Sequence, residues 1–398
     1  MPKISTKGQQ MPDSPIRKLT PFATAAKQAG KRVLHLNIGQ PDIETPEVAL
    51  EALRGLDRTV IEYSPSEGFA SYREGLAAYY STVGVNVTPE QILVTTGGSE
   101  ALVFAFMACL EPGDEVIIPE PFYANYNGFA QTAGVKVIPV TASIDDGFAL
   151  PPVEQIASRI TSRTRALLIC NPGNPTGYVY TDQELGSIRD LAIEHDLYLF
   201  ADEVYREFCY SNTLPTSVMT LEGLDDNVVM IDSVSKRYSM CGARVGALVT
   251  RNEAVRKACM KFAMARLSPP TLGQVAGEAA LKTPASYFTE VKAQYVERRD
   301  ALVGGLNAIE GVLCPLPGGA FYCLVQLPID SSDKFCQWML EHFDLDGDTV
   351  MMAPATGFYA TPGAGRDEVR IAYVLELGLI RRAVEVLAAG LAAYPGRA

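Results

Sequence analysis

Short apolar runs alternate with longer stretches of helical period from residue 46 to about residue 281. The runs QILVT (91–95), DEVIIP (114–119), RALLIC (165–170), LYLFAD (197–202), NVVMID (227–232) and GALVT (246–250) are rich in Val, Ile and Leu. They carry little polar alternation, which is the pattern of strands covered on both faces. Between them, EALVFAFMACL (100–110) and DQELGSIRDLAIEH (182–195) repeat apolar positions every three to four residues, as amphipathic helices do. This order predicts an α/β domain over residues 46–283, with a mainly parallel mixed sheet between helices.

The flanks read differently. The first dozen or so residues are polar and suggest a flexible arm able to wrap a partner. TPFATAAKQAGKRVLHLNIGQPD (20–42) then predicts a short helix, a stop at Gly30 and a strand running into a turn. Residues 1–45 are expected to join a smaller α+β domain at the other end of the chain, over residues 284–398. Leading into it, the helical run NEAVRKACMKFAMARL (252–267) is followed by Pro269 and Pro270 and more helical pattern to about Ile309, after which strands alternate with two further helices. No internal repeat or low-complexity tract interrupts the chain.

Composition narrows the functions this fold can serve. Across 398 residues, 46 Asp and Glu against 34 Lys and Arg leave a formal charge of −12, which disfavours nucleic acid and anionic lipid as partners. The eight cysteines are scattered without a C-x-x-C pair, as expected of free thiols in a reducing compartment. His35, His195 and His342 lie far apart, so no metal site is expected. No apolar run reaches the roughly 18 residues needed to span a bilayer, and the N-terminus lacks an apolar signal region; a soluble cytoplasmic protein is expected. G-x-G-x-x-G and G-x-x-x-x-G-K are both absent, which removes the usual warrants for dinucleotide and P-loop nucleotide binding.

The stretch DSVSKRYSMCGARVG (232–246) carries the strongest chemical signal. Lys236 follows a predicted strand closely, among small residues, with Ser233, Ser235 and Arg244 nearby. Two hydroxyls and a guanidinium form a donor set suited to phosphate. SVSKRYSMCGARVG resembles the lysine motif of class I aminotransferases, pyridoxal 5′-phosphate enzymes of fold type I. The resemblance implies that Lys236 joins the cofactor's aldehyde as an imine, while Ser233 and Arg244 hold its phosphate.

Further segments resemble the same family, in the same order along nearly the whole chain. In LFADEVYREF, Asp202 ends a predicted strand; the resemblance makes it the carboxylate on the pyridine nitrogen and makes Tyr205 the partner of the ring's 3-oxygen. Alone, Asp202 would equally be read as a helix cap. NPGNPTG (171–177) resembles the family's Asn-Pro-Thr-Gly loop, with Asn174 on the 3-oxygen and the substrate carboxylate and with a cis peptide before Pro175. VTTGGSEAL runs from a strand through Gly97 and Gly98 into a helix, so Gly98 and the N–H groups of Ser99 and Glu100 are expected at the phosphate. Tyr123 in PEPFYANY is expected to stack on the pyridine ring, and Tyr63 in IEYSPSEG to reach a partner subunit's cofactor phosphate. Arg370 in EVRIAYV is the expected bidentate ligand of the substrate α-carboxylate, with the Gly39 N–H assisting and Ile38 lining the pocket.

What the resemblance implies is a ping-pong aminotransferase that is a homodimer, with active sites at the interface and with an L-amino acid and a 2-oxo acid as substrates. The side-chain pocket is less well specified. Prokaryotic aspartate aminotransferases of similar sequence carry lysines where this chain has Glu100 and Thr20. Arg266 from a neighbouring subunit is one candidate cation for a second carboxylate, and Phe321 and Tyr359 are candidates for an apolar or aromatic pocket. Aspartate, aromatic and broad specificity stay open. A carbon–sulfur β-lyase, a cyclopropane-forming synthase and an aminotransferase-like regulator are the alternative functions; the regulator would need a DNA-binding domain that some 30 residues before LHLNIGQPD cannot supply.

Overall fold

In the computed structural model, which describes residues 2–397, the N-terminal helix Thr20–Gln28 leads to β1 (Arg32–His35), and the apolar runs then assemble into one seven-stranded sheet. Its strands are β2 (Ile92–Thr95), β3 (Glu115–Glu120), β4 (Lys136–Thr141), β5 (Thr164–Cys170), β6 (Tyr198–Asp202), β7 (Val228–Ser233) and β8 (Gly246–Val249), in the order β2-β8-β7-β6-β5-β3-β4. Alternate residues feed two cores. Val94, Leu167, Leu199 and Met230 enter one, and Leu93, Leu168, Phe200 and Ile231 enter the other. Burial on both sides is why these segments lack polar alternation.

β8 alone runs opposite to the other six strands of this sheet. Ser233 pairs with Gly246, so the chain leaves β7 and returns at the same end after residues 234–245. A parallel return would need a crossover to the far end of the sheet. β4 was not among the predicted runs because Pro139 interrupts it. The structure accommodates that proline by placing β4 at the sheet edge, paired only with β3.

The C-terminal region contributes β9 (Tyr322–Gln326), β10 (Asp348–Met351), β11 (Ala353–Pro354) and β12 (Glu368–Ala372), with the expected helices Ser332–His342 and Leu377–Ala393. β11, β12 and β9 form an antiparallel sheet, and β1 pairs in parallel with β10. Leu19, Ala23 and Leu34 share a core with Phe335, Met339, Val350 and Leu387. Arg32 clasps Asp348 through Nε at 2.6 Å and Nη2 at 2.7 Å. That contact, opposed by burial and helped by Arg382, holds the Asp348 carboxyl down at about 2. Where a flexible arm was expected, Thr6–Gln9 forms one helical turn, and Lys7 Nζ donates to the Thr132 carbonyl at 2.7 Å.

Cys170, Asp202 and Ser233 end β5, β6 and β7 at the carboxyl edge of the sheet, with Cys170 paired to Asp202 and Asp202 to Ile231. That edge is where open α/β sheets present ligand-binding groups. Among the described residues no helix is long and apolar enough to cross a membrane, and no cluster of His, Cys, Asp and Glu is placed to hold a metal ion.

One buried carboxyl makes the fold's stability depend on pH. Glu368 accepts a hydrogen bond from the Tyr359 hydroxyl at 2.6 Å, and burial pushes its carboxyl up to about 7 from an ordinary value of 4.5, with the tyrosine opposing. A folded pKa above the unfolded one gives stability that is complete below the unfolded value and lost as pH rises through the folded value. Glu368→Gln keeps an acceptor for Tyr359, so its melting temperature is expected to gain on the native protein as pH rises from about 5 to about 8. A native-to-variant difference that stays constant over that range, in thermal melts, excludes the buried carboxyl as the cause.

Candidate active site

Lys236 lies on the one-turn helix Val234–Arg237, directly after β7. Ser233 caps this turn, its Oγ accepting from the Ser235 N–H at 3.1 Å. The Lys236 amine lines a cleft of about 590 Å³, donates to the Gly39 carbonyl at 2.7 Å and lies 3.6 Å from Cys241 Sγ. The neighbours of the cleft residues turn the opposite way. Arg237 Nη2 lies 2.7 Å from both oxygens of Asp232, and Arg206 Nη2 is 2.7 Å from Glu203 Oε2, all four side chains being almost fully buried. Burial raises the Asp232 carboxyl, but Arg237 and Arg206 outweigh it and hold the group below its ordinary value.

One end of the cleft is built for an anion. Gly98 and Ser99 open the helix Gly97–Cys109, whose first-turn N–H groups lack helical partners. Arg244, in the left-handed conformation at φ 53°, lays its guanidinium across that helix start. A Cβ on Gly97 would meet Arg244 Nη2 at 2.5 Å and push that guanidinium aside, and Gly97 itself has φ +73°, a backbone that favours glycine. The Ser233 hydroxyl is 2.9 Å from Ser235 Oγ and from the Val245 carbonyl.

The floor carries Asp202. Burial pushes its carboxyl up to about 6; the Tyr126 hydroxyl, donating at 2.8 Å, and the Val204 N–H pull the other way. Tyr123 lines the wall, its ring edge-on to Tyr126 and its hydroxyl accepting from Asn125 Nδ2 at 2.8 Å. The Tyr205 hydroxyl is 3.0 Å from that of Tyr322 and 3.4 Å from Asn174 Nδ2. The peptide before Pro175 is cis, as expected, and so are those before Pro121 and Pro172.

At the other end Arg370, on β12, donates from Nη1 to Asn174 Oδ1 at 3.1 Å and from Nη2 to the Asn37 carbonyl at 2.6 Å. Its guanidinium lies between the rings of Tyr322, 4.5 Å away, and Phe358, 4.8 Å away. Its Nε is buried with no protein partner, a donor waiting for an acceptor. Gly39 and Ile38 border the same end, and a Cβ on Gly39 would collide with the Tyr322 hydroxyl at 1.7 Å.

Not every expected side chain faces this chain's own cleft, though Glu100 was expected there through its N–H, and Tyr63 and Arg266 at a partner's site. Glu100 turns its carboxylate back to the Thr96 N–H at 2.8 Å and toward Arg266, away from the cleft. Arg266 bonds the Ser66 and Val94 carbonyls and does not line its own chain's cleft. Phe321 is fully buried behind the site, with Lys236 Nζ 5.8 Å from its ring; the adjacent Tyr322 lines the cleft in its place. Tyr359 is spent on Glu368. Tyr63 is 78% exposed and outside its own chain's cleft. Tyr322, Tyr126 and Asn37 were not expected at the site, although each stands within or beside a segment already singled out.

The residues present fit pyridoxal 5′-phosphate. Phosphate donors sit at one end, a buried carboxylate suits a protonated pyridine nitrogen, the Lys236 amine suits the aldehyde, and the partnerless Nε of Arg370 suits a substrate carboxylate.

Comparison with known proteins agrees with this chemistry. A model of the family described as aminotransferase class I and II matches residues 31–387. An aspartate aminotransferase of Bacillus subtilis is 30% identical over 394 residues, covering 96% of this chain and 97% of that protein. The solved structure of aspartate aminotransferase from Thermus thermophilus with maleate superposes with a TM-score of 0.88 at 31% identity, over 98% of this chain and 100% of that one. Alanine aminotransferase from Pyrococcus furiosus reaches 0.89 at 28% identity, over 97% and 99%. Relatives with different named substrates thus share this fold.

Gly97→Ala tests the anion end. The added methyl has to displace the Arg244 guanidinium, so affinity for pyridoxal 5′-phosphate, titrated by fluorescence, is expected to fall by about tenfold or more, the worth of a charge-assisted bond. Undiminished affinity would show that Arg244 is not a ligand.

Proposed function

The chain belongs to the class I and II aminotransferases, pyridoxal-phosphate-dependent enzymes, and from that premise we propose a ping-pong transfer between an L-amino acid and a 2-oxo acid, with aspartate or an aromatic amino acid as donor and 2-oxoglutarate as acceptor. The observation that carries the reading is the arrangement of Lys236 between an anion end at Arg244 and a second one at Arg370, above Asp202. Nothing at the site favours the carbon–sulfur lyase or regulator readings.

When bound, pyridoxal phosphate supplies an aldehyde for capture of an amine and a ring that takes up the electron pair left when the substrate Cα–H bond breaks. Ser233, Arg244 and the N–H groups from Gly98 to Glu100 hold the phosphate. Asp202, made more basic by burial, keeps a proton on the ring nitrogen. Tyr205 and Asn174 bond the 3-oxygen, and Tyr123 covers the ring. Arg370, with Gly39 and Ile38 beside it, fixes the substrate by its α-carboxylate and so presents Cα to the lysine. Lys236 Nζ is the base that takes the Cα proton. Its contact with the Gly39 carbonyl, next to the proposed carboxylate site, supports that role.

A second copy of this chain completes the site. Val60, Ile61, Tyr63, Leu267 and Leu272 are exposed apolar side chains on segments tied together by the Thr271 Oγ1 bond to the Glu62 carbonyl and the Ser66 Oγ bond to the Leu267 carbonyl. Such a patch suits a covered interface, from which Tyr63 reaches the partner's phosphate and Arg266 faces the neighbouring cleft. The scattered free cysteines accord with a cytoplasmic location.

Borohydride treatment is expected to fix the cofactor to Lys236, read by peptide mass; fixation to another lysine would end the proposal. Arg370→Leu is expected to raise KM for amino donors by about 100-fold while the bound cofactor's spectrum persists, since two charged hydrogen bonds are lost. Loss of the spectrum would place Arg370 at the cofactor. Light scattering on eluted protein is expected to give twice the 43.0 kDa chain mass, and a monomeric mass with full activity excludes a shared site.

A further inference from the structure

Four cationic side chains line the cleft: Arg17, Lys236, Arg244 and Arg370. Asp202 is the one carboxylate among its walls. The proposed reaction uses three of the cations, for the aldehyde, the phosphate and the α-carboxylate. Arg17 is left over. It is exposed at the cleft edge, and among the described residues it makes no ion pair and no side-chain hydrogen bond.

Arg17 is placed by a turn, not by a flexible tail. The N–H groups of Arg17 and Lys18 both donate to the Ser14 carbonyl, at 3.1 and 2.9 Å. Pro15 packs on Gly357, where a Cβ would lie 2.5 Å from the proline ring, and Lys18 pairs with Asp333. Asn37 then sets this turn relative to Arg370. Its Nδ2 donates to the Ile16 carbonyl at 2.8 Å, while its own carbonyl accepts from Arg370 Nη2 at 2.6 Å. One buried asparagine therefore ties the turn that carries Arg17 to the guanidinium of Arg370.

We infer that Arg17 is the specificity-determining residue of this cleft: it binds the side-chain carboxylate of a dicarboxylic amino acid or 2-oxo acid whose α-carboxylate rests on Arg370. The inference rests on the aminotransferase reading above and adds to it the cation that the side-chain carboxylate of aspartate or of 2-oxoglutarate requires. It also explains how the cleft takes such a substrate although Glu100 and Thr20 carry no positive charge and Arg266 lies outside its own chain's cleft. Asn37 is a positioning residue for both cations.

The test compares holoenzymes carrying native Arg17, Arg17→Gln and Arg17→Lys. The half-reaction is followed by cofactor absorbance with aspartate, with 2-aminobutyrate, which has the same carbon count but no second carboxylate, and with phenylalanine. Arg17→Gln is expected to lower the aspartate-to-aminobutyrate ratio of kcat/KM by about 30-fold, the worth of a charge-assisted bond. Arg17→Lys is expected to recover part of it, because the charge returns without the planar fork. A ratio unchanged in Arg17→Gln, or a loss seen chiefly with phenylalanine, overturns the assignment of Arg17 while leaving the reaction standing. A native enzyme that converts none of the three donors overturns the reading of the reaction, and this inference with it.

Discussion

Behind the cleft lies a cluster of paired charges on which the geometry of the front depends. Glu203, Arg206, Asp232 and Arg237 are each nearly inaccessible to solvent, and Tyr80 adds a hydroxyl to Asp232 at 2.8 Å. Charges this deep are tolerated only when paired, and removing one partner leaves the other uncompensated at a cost of about 3–5 kcal/mol. The pairs therefore lock the two turns on which they stand. Those turns carry Asp202 and Tyr205 in one case, Ser233 and Lys236 in the other. Each cleft residue has a chain neighbour anchored behind it, so the amine, the floor carboxylate and the phosphate donors hold a fixed relation.

The opposite wall belongs to a different part of the chain. Arg370 comes from β12, Asn37 follows β1, and Asn174 follows β5, yet the guanidinium of the first donates to both of the others. The rings of Tyr322 and Phe358, 4.5 and 4.8 Å from its centre, restrict where that guanidinium can go. The cleft is thus a channel with an anion pole at each end and the amine between them. That layout suits a substrate held by its acid group while its amine meets a cofactor held by its phosphate.

Much of this was legible in the sequence, and for identifiable reasons. Strand runs buried on both faces stand out as unbroken apolar segments, and six of them fall within about one residue of their observed limits. Lys236, Asn174 and Arg370 could be picked out because the segments around them resemble family motifs, and Asp202 also because it ends an apolar run. β4 escaped because Pro139 disguises an edge strand. The exchange of Phe321 for Tyr322 has a related cause. Tyr322 opens β9, whose first four residues are all buried as Phe321 is, so the polarity pattern does not reveal which of the two neighbours faces the cleft.

Fold class, the lysine motif and the order of the family-like segments could be read from the chain alone, because periodicity and motif spacing are local properties. Which cations line the cleft was settled by tertiary packing. Arg266 and Arg17 look alike as residues near a proline; one is turned onto the carbonyls of Ser66 and Val94, and the other is set at the cleft edge by a turn whose carbonyl meets Asn37. A side chain's neighbours across hundreds of residues are fixed by packing and by the pairing of buried polar groups, and neither leaves a periodic trace in the sequence.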